Sequence, residues 1–363
     1  MAATTSEITD LDSLQSYCTE RNLAIRVNQL DGPEAAELKP YHWKWTDIEP
    51  AVIGASKVVR LATSAGDLGG TVRRVMHMVN PRNPKGANVP LRLGVQCVLP
   101  GEQAISHRHT AGATRFVIKG SPHAYTLVDG EPFPLEDGDF ITTPHLNFHG
   151  HSNESDDYVL WLDGLDGRYS SLGARWTEDW PEPYEPVRHD RIGRSADILG
   201  GHLRLASHRE IQHPDGPRVR HSGAEHPPGF RYAWTQVSAT FGAMKESEDE
   251  PDPFDCYSVT YSHPITGGPT FPTVACEMTI LTPGFKGKPH RHNSTVIYHA
   301  FRGRGVMIAD GERFEWSKGD FIELPAWTTH RHENPSGEDA FLYGFTDWPA
   351  QKTLGQYYFE ELA

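Results

Sequence analysis

Cysteine is scarce: the 363 residues hold only Cys18, Cys97, Cys256 and Cys276, none of them in a CxxC pair or a regular framework. That excludes a disulfide scaffold and a cysteine-based zinc module, and it predicts ordinary thiols in a reducing compartment. Basic residues are also in short supply. Lys and Arg total 34 against 48 Asp and Glu, a formal net charge of −14, which leaves no basic face for a phosphate backbone. Such a surface repels anions at long range, so an acidic substrate would need local cations in its pocket. No apolar run reaches the length of a bilayer crossing, and the opening MAATTSEITDLDSLQSYCTERN has no apolar core of a signal peptide. Together these absences predict a cytoplasmic protein with no nucleic-acid or membrane partner.

What is plentiful points to turns. There are 34 glycines and 28 prolines, as expected of a chain with many short strands, and the hydrophobic fraction of 37% suits a globular core. The length predicts two domains, and an internal repeat supplies them. VQCVLPGEQAISHRH is echoed by MTILTPGFKGKPHRH, and EDGDFITTPHLNFHGHSN by SKGDFIELPAWTTHRHEN. The offset from His107 to His290 nearly equals that from His149 to His330, which signals duplication rather than a solenoid. FVIKG, AYTLVDGEPFPL, GDFITTP and YVLWLDGLDG read as strands bounded by turn residues, and IYHAFRG, GVMIADGERFEW, GDFIELP and AFLYGFTD repeat the pattern. The fold class expected is all-β, with two jelly-roll barrels. The boundaries expected are an N-terminal arm over 1–65, a first barrel over 66–175, an irregular linker over 176–265, a second barrel over 266–350 and a tail over 351–363. Within the arm, Ser6–Asn22 is predicted helical and the aromatic YHWKW (Tyr41–Trp45) is expected to pack on a barrel or a neighbouring subunit. The acidic run Lys245–Asp255 reads as a solvated loop.

His107 and His109 are one residue apart, so on a strand both point to one face. Two unpartnered imidazoles inside a narrow barrel cost roughly 1–3 kcal/mol each, which makes them poor core residues and good ligands. His149 follows after a Gly-Asp turn and a proline. The spacings G101-x5-H107-x-H109 and G138-x5-P144-x4-H149-x3-N153 match the two signature motifs of the cupin family, apart from two positions. One departure is Ala113, four residues after the second histidine, where most cupins carry a glutamate ligand; Val296 takes that place in the second repeat. A three-histidine set leaves positions open for a bidentate substrate and dioxygen together. The other departure is Leu146, where the motif has glycine, and it is expected to alter only the local turn. The second repeat keeps His290, His292 and His330 and could hold a second metal, but it has Tyr298 where the first has Arg115.

RRVMHMVNP (Arg73–Pro81), GVQCVLPGE, HRHTAGATRF, NFHGHSN and WLDGLD resemble the gentisate 1,2-dioxygenases and their relatives acting on salicylate and 1-hydroxy-2-naphthoate. The resemblance runs from near Tyr41 into the second barrel. It implies an Fe(II) enzyme that uses dioxygen to open a ring between the carboxyl-bearing and adjacent hydroxyl-bearing carbons. Gentisate, opened to maleylpyruvate, is the first expectation; salicylate, a substituted salicylate or 1-hydroxy-2-naphthoate come next, and a non-catalytic metal-binding bicupin is more remote. By the same resemblance His107, His109 and His149 hold the iron, and the protein assembles as a homotetramer. Arg115 pairs with the substrate carboxylate, and Arg73 and Arg74 are paired arginines facing the pocket. His151 meets a substrate oxygen, and Gln96 and Asp163 orient these groups. Arg92 departs from the family, whose members carry an aromatic or apolar residue there.

Overall fold

Asp129–Gly130 and Asp310–Gly311 take positive φ, 46° and 81° in the first pair and 48° and 81° in the second. Two consecutive left-handed residues are what a tight hairpin needs. They join Ser121–Val128 to Glu131–Leu135 and Arg304–Ala309 to Glu312–Ser317 as antiparallel pairs. The computed structural model describes residues 38–62, 70, 73–83, 90–167, 169, 177–179, 187–199, 229–247 and 250–362. The helix expected over Ser6–Asn22, and Cys18 with it, lies outside them. Cys97, Cys256 and Cys276 are buried free thiols. No helix among the described residues is long and apolar enough to cross a membrane.

Each repeat pairs a six-stranded sheet with a five-stranded one. In the first, the larger sheet runs Phe230–Tyr232, Phe140–Thr143, Ala113–Lys119, Val159–Leu165, Arg92–Val98 and Val75–His77. The smaller runs Thr177–Asp179, Gln103–His109, His149–Asn153, Ser121–Val128 and Glu131–Leu135. The second repeat copies both, with Tyr41–Trp43, Phe321–Leu324, Val296–Arg302, Ala340–Thr346, Ala275–Leu281 and Tyr257–Thr260 as its larger sheet. Its smaller sheet ends on Phe359–Glu361, which pairs with His290–His292, so part of the expected tail is a strand.

Both faces of the larger sheets are buried. Outward-facing Leu93, Val95, Phe116, Phe140 and Leu162 share one core with Met278, Ile280, Phe321, Tyr343 and Phe345 of the other repeat. Phe116 stacks on Tyr343 at 4.5 Å. Inward-facing Val98, Val117, Ile141 and Trp161 fill the first barrel with Ala104, Ala124 and Phe133 from the facing sheet. At about 1.5–3 kcal/mol per fully buried large side chain, this shared layer stabilises the two repeats as one body.

Within the region expected to be an irregular linker, and in the described end of the arm, the structure has regular elements. Both carry the same unit, a short strand followed by a helix: Tyr41–Trp43 with Trp45–Val58, and Phe230–Tyr232 with Trp234–Glu246. Each unit docks on the other repeat. Tyr41–Trp43 pairs with Phe321–Glu323 of the second barrel, and Phe230–Tyr232 pairs with Phe140–Thr142 of the first. Neither helix has a capping side chain of its own. Asp320 and Asp139 supply the cap instead, accepting the Trp45 and Trp234 amide protons at 2.9 Å each. Just before each aspartate, Gly319 and Gly138 have φ of 96° and 85°, and any side chain there would overlap Trp45 in one case and Phe301 in the other.

Candidate active site

His107 and His109 stand on Gln103–His109, and His149 starts the neighbouring strand, directly opposite His107. Their ligand atoms lie within 4.8 Å of one another. Each Nδ1 is turned to a main-chain carbonyl: His107 to Ile105 at 3.2 Å, His109 to Ala111 at 2.8 Å and His149 to Asn147 at 2.9 Å. That favours the tautomer with the proton on Nδ1 and leaves the three Nε2 atoms unprotonated and close together. The His149 Nε2 is buried with no hydrogen-bond partner, an expense that a bound metal removes. Burial pushes all three imidazoles toward the neutral form that ligates, His109 to about 4 and the others well below their usual range, with Arg73 and His109 adding to the effect on His107. The donor set therefore fits a divalent metal.

The turn that delivers His149 runs through Leu146 at φ 64°, and Trp327 has φ 67° at the matching place in the second repeat. This is why the motif favours glycine there. The amides of Leu146 and Trp327 donate to the carbonyls of His109 and His292, at 2.9 and 2.7 Å, so each strained turn is tied to a ligand residue.

Around the triad, one row across the larger sheet reads Gly94, Asp163, Arg115, Ile141. Arg115 is only 2% exposed, hydrogen-bonds Thr143 and lies 3.6 Å from Asp163. Burial pulls its pKa down while Asp163 pulls it back up. Gln96 donates to the other oxygen of Asp163 at 3.0 Å. Arg115 Nε and Asp163 Oδ1 are buried without hydrogen-bond partners, which marks the pocket as built for a guest. His151 bonds Thr126 through Nδ1 at 3.1 Å and lies 4.4 Å from the Trp161 ring. Burial, with Arg115 and Arg73, holds it well below its usual pKa.

The two adjacent arginines part company. Arg73 Nε donates to His107 Nε2 at 2.7 Å, on the atom that faces the metal position. Arg74 turns to the other side, paired with Glu102 at 2.6 Å and donating to the Val59 and Cys97 carbonyls. Neighbours on an extended chain point oppositely, so only Arg73 reaches the pocket. Arg92 is exposed, on the same face of its strand as Gln96.

The second triad repeats the first down to its tautomers. His290, His292 and His330 bring their ligand atoms within 4.8 Å, with Nδ1 held by the carbonyls of Lys288, Ser294 and Thr328. A cavity of about 600 Å³ opens on it, lined among others by Asp255, Glu277 and Tyr298. Reading the sequence passed over Asp255 and Glu277, although carrying the repeat alignment beyond its motifs sets Glu277 against Gly94.

Two duplicated barrels, each presenting three imidazoles from adjoining strands, define a bicupin metalloprotein. The cupin domain family matches residues 94–164 and 277–344. The chain is 36% identical to the 1-hydroxy-2-naphthoate 1,2-dioxygenase of Nocardioides sp. (strain KP7), over 99% of this chain and 88% of the relative. It is 35% identical to a gentisate 1,2-dioxygenase of Haloferax sp., over 87% and 86%. The crystal structure of the salicylate 1,2-dioxygenase from Pseudaminobacter salicylatoxidans superposes with a TM-score of 0.80 at 24% identity, covering 98% of each chain, a likeness of fold. The chain belongs to the family of gentisate, salicylate and 1-hydroxy-2-naphthoate 1,2-dioxygenases. It is a ring-cleavage dioxygenase for hydroxylated aromatic acids.

Proposed function

We propose that the first barrel holds Fe(II) on His107, His109 and His149 and opens gentisate to maleylpyruvate, cleaving between the carboxyl-bearing carbon and the adjacent hydroxyl-bearing carbon. The observation that carries this reading is a neutral three-imidazole set with a buried, incompletely bonded arginine in the same pocket. The metal, when bound, supplies open positions on which substrate oxygens and dioxygen meet, and it favours ionisation of the ring hydroxyl.

The protein's own residues do the positioning. Arg115 takes the substrate carboxylate through a charge-assisted pair, with Asp163 and Gln96 fixing its orientation from behind. Placing a carboxylate there also repays the desolvation of a fully buried guanidinium. Arg73, whose Nε reaches His107 Nε2, is a second cation beside the site. His151, kept neutral by burial with Arg115 and Arg73, accepts the hydrogen bond of a substrate hydroxyl. Arg92, exposed on the same strand face as Gln96, is the alternative holder of the carboxylate.

A fused-ring acid, 1-hydroxy-2-naphthoate, is the second reading, favoured by the near full-length similarity to the Nocardioides relative. The deciding experiment is anaerobic reconstitution with Fe(II), then oxygen uptake against gentisate, salicylate, 5-substituted salicylates and 1-hydroxy-2-naphthoate. The highest kcat/KM with gentisate is expected. A naphthoate preference would replace that substrate assignment, and uptake supported by Mn(II) but not Fe(II) would replace the metal.

A further inference from the structure

We propose that the second barrel holds its own divalent cation on His290, His292 and His330, already charge-balanced by carboxyl groups, and that this site does not accept aromatic acids. The donor geometry matches that of the first triad. Three Nδ1 atoms are committed to main-chain carbonyls at 3.3, 3.0 and 2.9 Å, and His330 Nε2 is buried without a hydrogen-bond partner. Phe359 of the C-terminal strand stacks on His290 at 5.3 Å, shielding one side.

The charges around the two triads are reversed by an exchange across one pair of strands. In the first barrel the row reads Gly94, Asp163, Arg115, Ile141; in the second it reads Glu277, Gly344, Tyr298, Ile322. The carboxylate has moved to the partner strand, the glycine has taken its place, and the arginine has become a tyrosine. Glu277 accepts the Trp348 indole proton at 2.9 Å, which holds it in the cavity wall. Asp255 adds a second carboxyl group, 3.5 Å from His332, the residue at the place of His151. The one cation among the cavity's lining residues is Lys352, whose ammonium lies 5.7 Å from the Trp348 ring centre.

Three neutral imidazoles leave the charge of a divalent ion uncompensated. Beside Arg115 and Arg73 that charge attracts an anionic substrate; beside Glu277 and Asp255 it is met within the protein. The second site therefore favours the cation itself, with water completing its shell in the cavity, and repels a carboxylate. This inference does not depend on the substrate of the first barrel.

Co(II) tests it on the full-length apoprotein, because its d–d absorption reports each site directly. The wild type should take up two Co(II) per chain. His107→Ala with His109→Ala should keep one, whose spectrum does not move on addition of salicylate; His290→Ala with His292→Ala should also keep one, whose spectrum does. Glu277→Gln with Asp255→Asn should weaken the second Co(II) by about 10–100-fold while leaving the first unchanged. Circular dichroism identifies any variant that fails to fold, and the carboxamide pair leaves every imidazole in place as an independent reading. A single Co(II) in the wild type, or undiminished binding in the carboxamide variant, or a salicylate-induced shift at the second site, would each overturn the proposal.

Discussion

The two barrels share a metal-binding scaffold and differ in what faces it. Strand order, hairpin turns, strained ligand turns and the Nδ1-to-carbonyl contact of all six imidazoles are the same in both, whereas a single cross-strand row holds Asp163 and Arg115 in one and Glu277 and Tyr298 in the other. Ligation depends on backbone carbonyls that orient imidazoles, so it survives duplication as long as the fold does. Substrate choice depends on side chains in one row, so a few substitutions rewrite it. The comparison teaches that a retained triad reports ancestry and metal binding, while the row beside it reports chemistry.

The comparison is most severely tested by removing a ligand from the first barrel. His107→Ala should lose ring cleavage entirely, together with first-site metal measured by elemental analysis. Normal turnover in that variant would transfer catalysis to the second barrel. Next in size is Arg115→Ala, which should lower kcat/KM by roughly 10–100-fold, the equivalent of about 1.5–3 kcal/mol, mostly through KM and with metal content intact. An unchanged kcat/KM there would move the carboxylate to Arg92. Gly319→Ala should destabilise the fold by about 2–4 kcal/mol in denaturant titration, since φ is 96° and the methyl would overlap Trp45. Gly138→Ala should match it if the two crossed units are equivalent, and a difference of more than about 1 kcal/mol would show that one arm is held less tightly.

A further, conditional effect is set by pH at the two capping aspartates. Burial alone would raise Asp320, but bonds from His42, the Trp45 amide, Lys44 and the Ser317 amide hold it down to about 2. An acid depressed in the folded state stabilises it fully above the unfolded value near 3.8 and ceases to as pH falls toward 2. Asp139 is shifted the other way, because burial outweighs the Trp234 amide and Arg231. Hydrogen exchange should therefore show the Trp45–Val58 helix loosening between pH 4 and 2, with Trp234–Glu246 unaffected by the loss of its own cap in that range; simultaneous release of both would contradict the asymmetry.

Much of the site could be read from the residues. A period of two puts His107 and His109 on one face, and an arginine amid TRFVI is buried whatever its partner. Arg73 and Arg74 were expected as a pair facing one pocket, but the same period puts neighbours on opposite faces, and the structure sends them opposite ways. The repeat offset sets Glu277 against Gly94, but that the two carboxylates stand in one cross-strand row appears only once the strands are in register. The crossed units were missed for a related reason. Tyr41–Trp43 and Phe230–Tyr232 look like loop fragments until each finds its partner strand, and such pairing leaves no local trace. Asp255 was assigned to a solvated acidic run on composition, and only the loop's return beside His332 brings it to the cavity.

The crossed units also determine when, during synthesis, the fold can close. His42 finds Asp320 278 residues further along the chain. At about 5–20 residues per second, the first strand emerges roughly 15–55 s before the edge it will cover. In that interval the aromatic Tyr-His-Trp strand is an open sheet edge, and the first barrel has nothing on its apolar back. A ribosome-bound chain stopped before residue 320 should thus be sticky and sensitive to protease. Neither half can be trimmed away as a spare part, because each would leave with the other's edge strand.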